Sequence, residues 1–140
     1  MKAGSISKRL TALLIGLAAG AAAQAAPGDT HVVFWTAGDC GPCKLWSHTE
    51  RRLEFLAEAK RLGVDLVVVS RPRVADPVTR YVWPATHPEL KASMAELPPA
   101  QLTPSFDFVC KGQLQRRLGG VDDWDSFWRK TLRQLARDCV

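Results

Sequence analysis

What the chain lacks narrows what it can be. No second CxxC motif accompanies Cys40 and Cys43, and with His48 these cysteines supply at most three nearby ligands where a structural zinc site takes about four, so no metal is expected. There is no internal repeat and no low-complexity segment, and the composition does not suggest bulk disorder. Nor is there a strong charge of one sign once the N-terminus is set aside. Lys+Arg number 19 and Asp+Glu 14, but Lys2, Lys8 and Arg9 fall before residue 25; the remainder is 16 basic against 14 acidic residues, a formal +2, which implies no nucleic-acid partner. Histidine is scarce. His31 reads as a strand-edge residue, His48 as a solvated helix residue and His87 as a helix-start residue, and none has a recognisable base or ligand spacing.

What is present begins with an export pattern. Lys2, Lys8 and Arg9 precede the apolar run LTALLIGLAAGAAA, which stops short of a comfortable bilayer span and passes into Ala23-Gln24-Ala25, an A-x-A arrangement. Residues 1–25 are therefore expected to be a signal peptide cleaved after Ala25; an uncleaved segment anchoring the protein to a membrane is the alternative. The remaining 26–140 suits a single domain: 46% of the chain is hydrophobic, and five Trp and five Phe can furnish a core. Export would place the protein in the periplasm or outside the cell, where disulfides persist. Cys40, Cys43, Cys110 and Cys139 then allow about three pairings.

The stretch HVVFW (31–35), β-branched and aromatic, predicts a short buried strand closed by the turn-like TAGD. A helix is predicted from Cys43 to about Leu62, with Leu45, Thr49, Leu53, Leu56 and Ala59 recurring at helical spacing and Gly63 as its stop. VDLVVVS (64–70) is a near-continuous apolar run of strand length and completes a βαβ unit with a buried parallel pair. The proline-containing stretch 71–85 reads as an irregular surface connection, pinned by Tyr81 and Trp83 and with its arginines solvated. Thr86, Pro88 and Glu89 signal a short helix to about Leu97, ended by Pro98 and Pro99. SFDFVCKGQLQRRL predicts an antiparallel hairpin turning at Lys111 and Gly112, with Phe106, Phe108 and Cys110 on one face. A final helix, capped by Asp122 or Asp123, carries the stripe Trp124, Phe127, Trp128, Leu132, Leu135 and Cys139.

Within this order, DCGPCK (39–44) holds the chemistry. Two cysteines around Gly41 and Pro42 form a redox pair, half a zinc site or a structural staple. The ligand count opposes zinc, and a bridge across two intervening residues removes little chain entropy. Thiol–disulfide exchange needs a thiolate that attacks sulfur, and unpaired backbone N–H groups at a helix start stabilise such a charge. Cys40 is placed to be that nucleophile. Cys43, one helical turn later, is placed to resolve the mixed disulfide. Pro42 has no N–H to lose in a first helical turn, and Gly41 lets a substrate backbone approach the sulfur. Lys44 favours a Cys40 thiolate and Asp39 opposes it, which leaves the net shift open.

Strand, CGPC at a helix start, strand, helix, Thr-Pro before a hairpin, terminal helix: this order resembles the thioredoxin family over nearly all of 26–140, with FW…CGPCK as the most specific part. The resemblance implies an α/β, thioredoxin-like fold, a central mixed β-sheet flanked by helices in one domain after the signal peptide. It also implies a cis proline facing the cysteines, matched by Pro104 in LTPSF, and a Thr103-Pro104 edge that pairs with substrate backbone as an added strand. Two departures stand out. Asp39 occupies the place of the family's Trp before the first cysteine, and Val32 and Val33 stand where the first strand usually carries an acidic proton acceptor. With one extra residue between Trp35 and Cys40, these departures point to a specialised branch. The family topology places Cys110 and Cys139 together at the pole away from the active site, which implies a structural disulfide. Two buried free thiols, or a Cys139 left free for an intermolecular bond, are the alternatives.

The function expected from this is that of an exported thiol–disulfide oxidoreductase, a monomer cycling Cys40 and Cys43 on protein or peptide disulfides with no cofactor. The Gly-Pro dipeptide resembles that of reducing members, and a reductase in an oxidising compartment needs a membrane thiol partner to supply electrons. The alternative is a redox-inactive module that uses the Thr103-Pro104 edge to hold a partner in an envelope or secretion complex.

Overall fold

A continuous run of β-branched and aromatic residues builds the centre of the sheet. In the computed structural model, which describes residues 28–85, 91–92 and 95–139, strand β1 (Thr30–Ala37) is covered on both faces. Val32 and Phe34 face one side and Val33 and Trp35 the other, as a central strand requires. The expected signal peptide, 1–25, lies outside the described residues, as do Thr86, His87, Pro88 and Glu89 of the short helix predicted before Pro98.

β1 pairs in parallel with β2 (Asp65–Arg71) and antiparallel with β3 (Ser105–Cys110), which pairs antiparallel with β4 (Gln113–Gly119), giving the order β2-β1-β3-β4. The hairpin turns at Lys111 and Gly112, both at positive φ (49° and 77°), the backbone that matches the twist of flanking strands. β2 is an edge strand, so VDLVVVS is not buried on both faces as expected. Val67, Val69 and Arg71 face inward, while Val68 is 38% exposed.

The single helix predicted after Cys43 is two. α1 (Gly41–Ser47) ends at His48, Thr49 turns to extended backbone, and α2 (Glu50–Leu62) begins anew before stopping at Gly63. The break rephases the buried face: Cys43, Trp46, Phe55 and Ala59 are inside, and Leu45 and Leu53 of the predicted stripe are 50% and 68% exposed. Trp46 and Phe55 displace the leucines because an aromatic ring removes more apolar area from water. α3 (Gly120–Asp138) is capped by Gly119; Asp122 and Asp123 lie in its first turn, and the Asp123 carboxylate accepts the Gly119 N–H at 3.3 Å. Phe127, placed on its stripe, is 42% exposed and covered by the Arg116 guanidinium instead.

α1, α2 and α3 pack on one sheet face around Phe34, Trp46, Phe55, Phe106, Phe108 and Trp124. Ring contacts such as Phe106 with Trp124 at 4.2 Å and Trp46 with Trp124 at 5.2 Å each add about 0.5–1.5 kcal/mol beyond burial. The connection from β2 to β3 covers the other face. Tyr81 and Trp83 meet Trp35 edge-on at 4.8 and 5.8 Å, beside Leu97 and Ala100. His31, expected at a strand edge, is buried with Nε2 against the Gly28 carbonyl, because β1 is central. Among the described residues no helix is long and apolar enough to cross a membrane.

Candidate active site

Strand register gathers the site at one end of the sheet. Ala37, the last residue of β1, pairs with Arg71, and Trp35 pairs with Ser105, so the turn carrying Cys40, the chain leaving β2 and the Thr103-Pro104 segment all leave the sheet at its same end. The Thr103-Pro104 bond is cis. Pro104 is buried, and the Thr103 hydroxyl has no hydrogen-bond partner among the described residues.

Cys40 is the N-cap of α1 and is bonded to Cys43. The Cys43 N–H donates to Cys40 Sγ at 3.1 Å, and Pro42 occupies the first turn. This is the local consequence of a cap residue whose side-chain acceptor meets an orphan N–H, here with sulfur in place of oxygen. Cys40 and Cys43 are only 2% and 1% exposed. The opening beside them is at the backbone: Gly41 and Pro42 are exposed, and a Cβ at Gly41 would meet nothing within 4 Å.

Asp39 reaches the chain leaving β2. Its carboxylate accepts the Val74 N–H at 2.7 Å, fixing the start of the β2–β3 connection. Next to it, Gly38 N–H is shared by the Arg71 and Pro72 carbonyls at 3.0 and 3.1 Å, and a Cβ at Gly38 would stand 2.7 Å from Pro72 O, so only glycine permits that approach. Arg71, read from the sequence as one of several solvated arginines, is 5% exposed, while Arg73 and Arg80 are exposed. Its place on the inward-facing alternation with Val67 and Val69 is the signal that would have found it, had the strand been extended by one residue.

β1 itself carries no acidic residue. Asp107 is a fully buried carboxylate, but it lies on β3 with Val33 and Trp35, on the sheet face opposite the cysteines. It accepts Trp35 Nε1–H at 2.8 Å and two bonds from Arg117 at 2.6 Å, and these hydrogen bonds raise the Arg117 pKa. No cysteine shares its surroundings.

Cys110 and Cys139 are bonded at 2.04 Å, at the far end of the sheet, where Cys110 pairs with Thr30 at the start of β1. The bond ties β3 to the end of α3.

Neither a protein-family profile nor a curated protein sequence matches the chain. Solved structures do. A thioredoxin from Trypanosoma brucei brucei is 22% identical with a TM-score of 0.46, covering 78% of this chain and 76% of that one. The oxidised mitochondrial thioredoxin 3 of Saccharomyces cerevisiae is 22% identical with a TM-score of 0.45, covering 76% and 78%. The reduced periplasmic thioredoxin SoxS of Paracoccus pantotrophus is 19% identical with a TM-score of 0.47, covering 80% and 100%. By its own strand order, its CxxC pair opening α1 and its Thr-Pro turn entering β3, the chain has a thioredoxin-like fold with a CxxC disulfide at the end of the central strand.

Proposed function

We propose that this protein is an exported thiol–disulfide oxidoreductase that acts as a reductase on protein or peptide disulfides. The observation that carries the reading is the Cys40–Cys43 bond at the start of α1 with the Cys43 N–H directed at Cys40 Sγ, 3.1 Å away. That donor stabilises negative charge on Cys40 when the pair is reduced. In the reduced form the Cys40 thiolate attacks one sulfur of a substrate disulfide, forming a mixed disulfide and releasing one substrate thiolate. Cys43, deprotonated, then attacks Cys40 Sγ, closing the Cys40–Cys43 bond and releasing the second substrate thiolate. Two electrons pass from the dithiol to the substrate, and an external dithiol, for which a membrane thiol protein is the proposed donor, restores the pair.

The substrate backbone approaches over exposed Gly41 and Pro42 and pairs along Thr103-Pro104. Wild-type protein is expected to accelerate insulin reduction by dithiothreitol, and Cys40→Ser to abolish that acceleration. A reduction potential near about −270 mV fits a reductase; one near about −120 mV would reverse the assigned direction. The second reading, a redox-inactive partner-binding module, is favoured by the 2% and 1% exposure of the two half-cystines. It prevails if wild type shows no turnover with any dithiol donor.

A further inference from the structure

At the far end of the sheet from Cys40, the last turns of α3 and the β3–β4 hairpin enclose a cavity of about 290 Å³. Exchange at Cys40 gives it no role. Phe108, Leu135 and Cys139, all buried, line it together with Cys110, so its interior is apolar. Thr131 lines it as well, 5% exposed, with a hydroxyl that has no hydrogen-bond partner among the described residues. The rim is charged and of both signs, with Arg116 from β4 and Asp138 from the end of α3. The charges that α3 turns toward α2 are matched, since Asp125, Arg129 and Arg133 each meet a partner there. Arg116 and Asp138 form no ion pair, with each other or with another described residue, although one cavity brings them together. The Arg116 guanidinium lies 5.2 Å from the Phe127 ring centroid, a contact that orients it without using its N–H groups. An opposite pair that does not close on itself is complementary to one molecule carrying both charges.

We propose that this cavity binds a small zwitterion, a free α-amino acid with an apolar side chain. Its carboxylate accepts from the Arg116 guanidinium, its ammonium donates to the Asp138 carboxylate, and its side chain enters over Phe108 and Leu135. The ammonium gains further from the C-terminal end of α3, which Asp138 closes and whose last carbonyls carry partial negative charge. Size favours a small molecule over a protein segment: ligand cavities run from about 300 to 1,000 Å³, and this one stands at the lower limit. Binding is noncovalent, with the Cys110–Cys139 bond as one wall of the site. The inference is independent of exchange at Cys40.

The test is titration of the oxidised protein with L-leucine, leucinamide and N-acetylleucine near neutral pH, followed by amide NMR. Leucine carries both charges, leucinamide only the ammonium and N-acetylleucine only the carboxylate. Leucine is expected to shift the Arg116, Thr131 and Gln134 signals saturably, with a dissociation constant of about 1 mM or below. Each analogue, lacking one charge-assisted contact, is expected to bind about tenfold more weakly. Arg116→Gln is expected to weaken leucine about tenfold and leucinamide less than about twofold; Asp138→Asn is expected to weaken leucine about tenfold and N-acetylleucine less than about twofold. Both side chains are exposed, so the fold is expected to stand. Gln134→Trp, at an exposed position that lines the cavity, fills it with an indole and is expected to abolish binding. Cys40→Ser, which ends exchange, is expected to bind leucine as wild type does. Analogues that bind as tightly as leucine overturn the zwitterion, and leucine shifts confined to other residues overturn the site. No saturable shift up to about 20 mM leucine overturns the proposal outright.

Discussion

A single carboxylate can be structural or chemical depending on which face of a strand it occupies, and Asp107 is structural. It satisfies the indole N–H of Trp35 and pairs with Arg117, all beneath the β2–β3 connection. Asp107→Ala leaves that indole and the guanidinium without an acceptor. The expected loss is about 3 kcal/mol, at the low end for breaking a buried pair because Arg117 is 28% exposed. Asp107→Asn, which retains an acceptor for Trp35, is expected to recover part of it. Urea midpoints for the three proteins measure both effects, and a loss under about 1 kcal/mol for the alanine variant would show that the pair is not felt. Asp39 is structural in another way: its carboxylate accepts a backbone N–H 35 residues away in sequence.

Between elements, α2 and α3 are joined at their edges by charge. Arg51 meets Asp125 at 2.9 Å, Glu54 meets Arg129 at 2.7 Å and Glu58 meets Arg133 at 3.0 Å, along successive turns of both helices. Glu58 also accepts from Arg61 at 2.7 Å, and these hydrogen bonds, from Arg61 first and Arg133 second, hold its pKa down at about 2 against a usual 4.5. Because the folded value is depressed, the stabilisation is complete above the usual value and is lost as pH falls toward the folded one. Glu58→Gln is therefore expected to flatten the decline of Tm between about pH 4.5 and 2, modestly and less so in high salt, since the pairs are partly solvated. An acid decline as steep in the variant as in wild type would assign that decline to other carboxylates.

For the molecule as a whole, the two disulfides divide labour by position. Cys40–Cys43 spans three positions and Cys110–Cys139 spans 29, so only the second closes a loop long enough to restrict the unfolded chain substantially. The chain-entropy model gives about 3.5 kcal/mol for such a loop, and the double variant Cys110→Ser/Cys139→Ser is expected to melt on the order of 15 °C lower. Cys40→Ser/Cys43→Ser should shift Tm far less while removing turnover. Circular dichroism melts of both double variants, against wild type, distinguish the roles; equal shifts would refute the division.

Taken alone, the sequence determines what local chemistry governs. A β-branched and aromatic run marks β1, alternation marks the hairpin, Gly63 ends a helix, Pro42 opens one, and CGPC sits between strand and helix. These depend on neighbours within a turn or two, where propensity and hydrogen-bond capacity act. What the tertiary structure alone decides is where a side chain finds its partner. The Ser47–Thr49 region continues or breaks a helix according to whether Trp46 and Phe55 must face one core. β2 is the edge strand of the sheet, met on its outer side by the isolated Ser70–Val82 bridge, although its composition suits a centre. Arg71 is buried only because the distant Tyr81, Asp76 and Gln101 close over it, and Asp39 is a latch only because Val74 is brought to it. Burial and pairing across tens of residues are properties of the packed chain, and no local pattern encodes them.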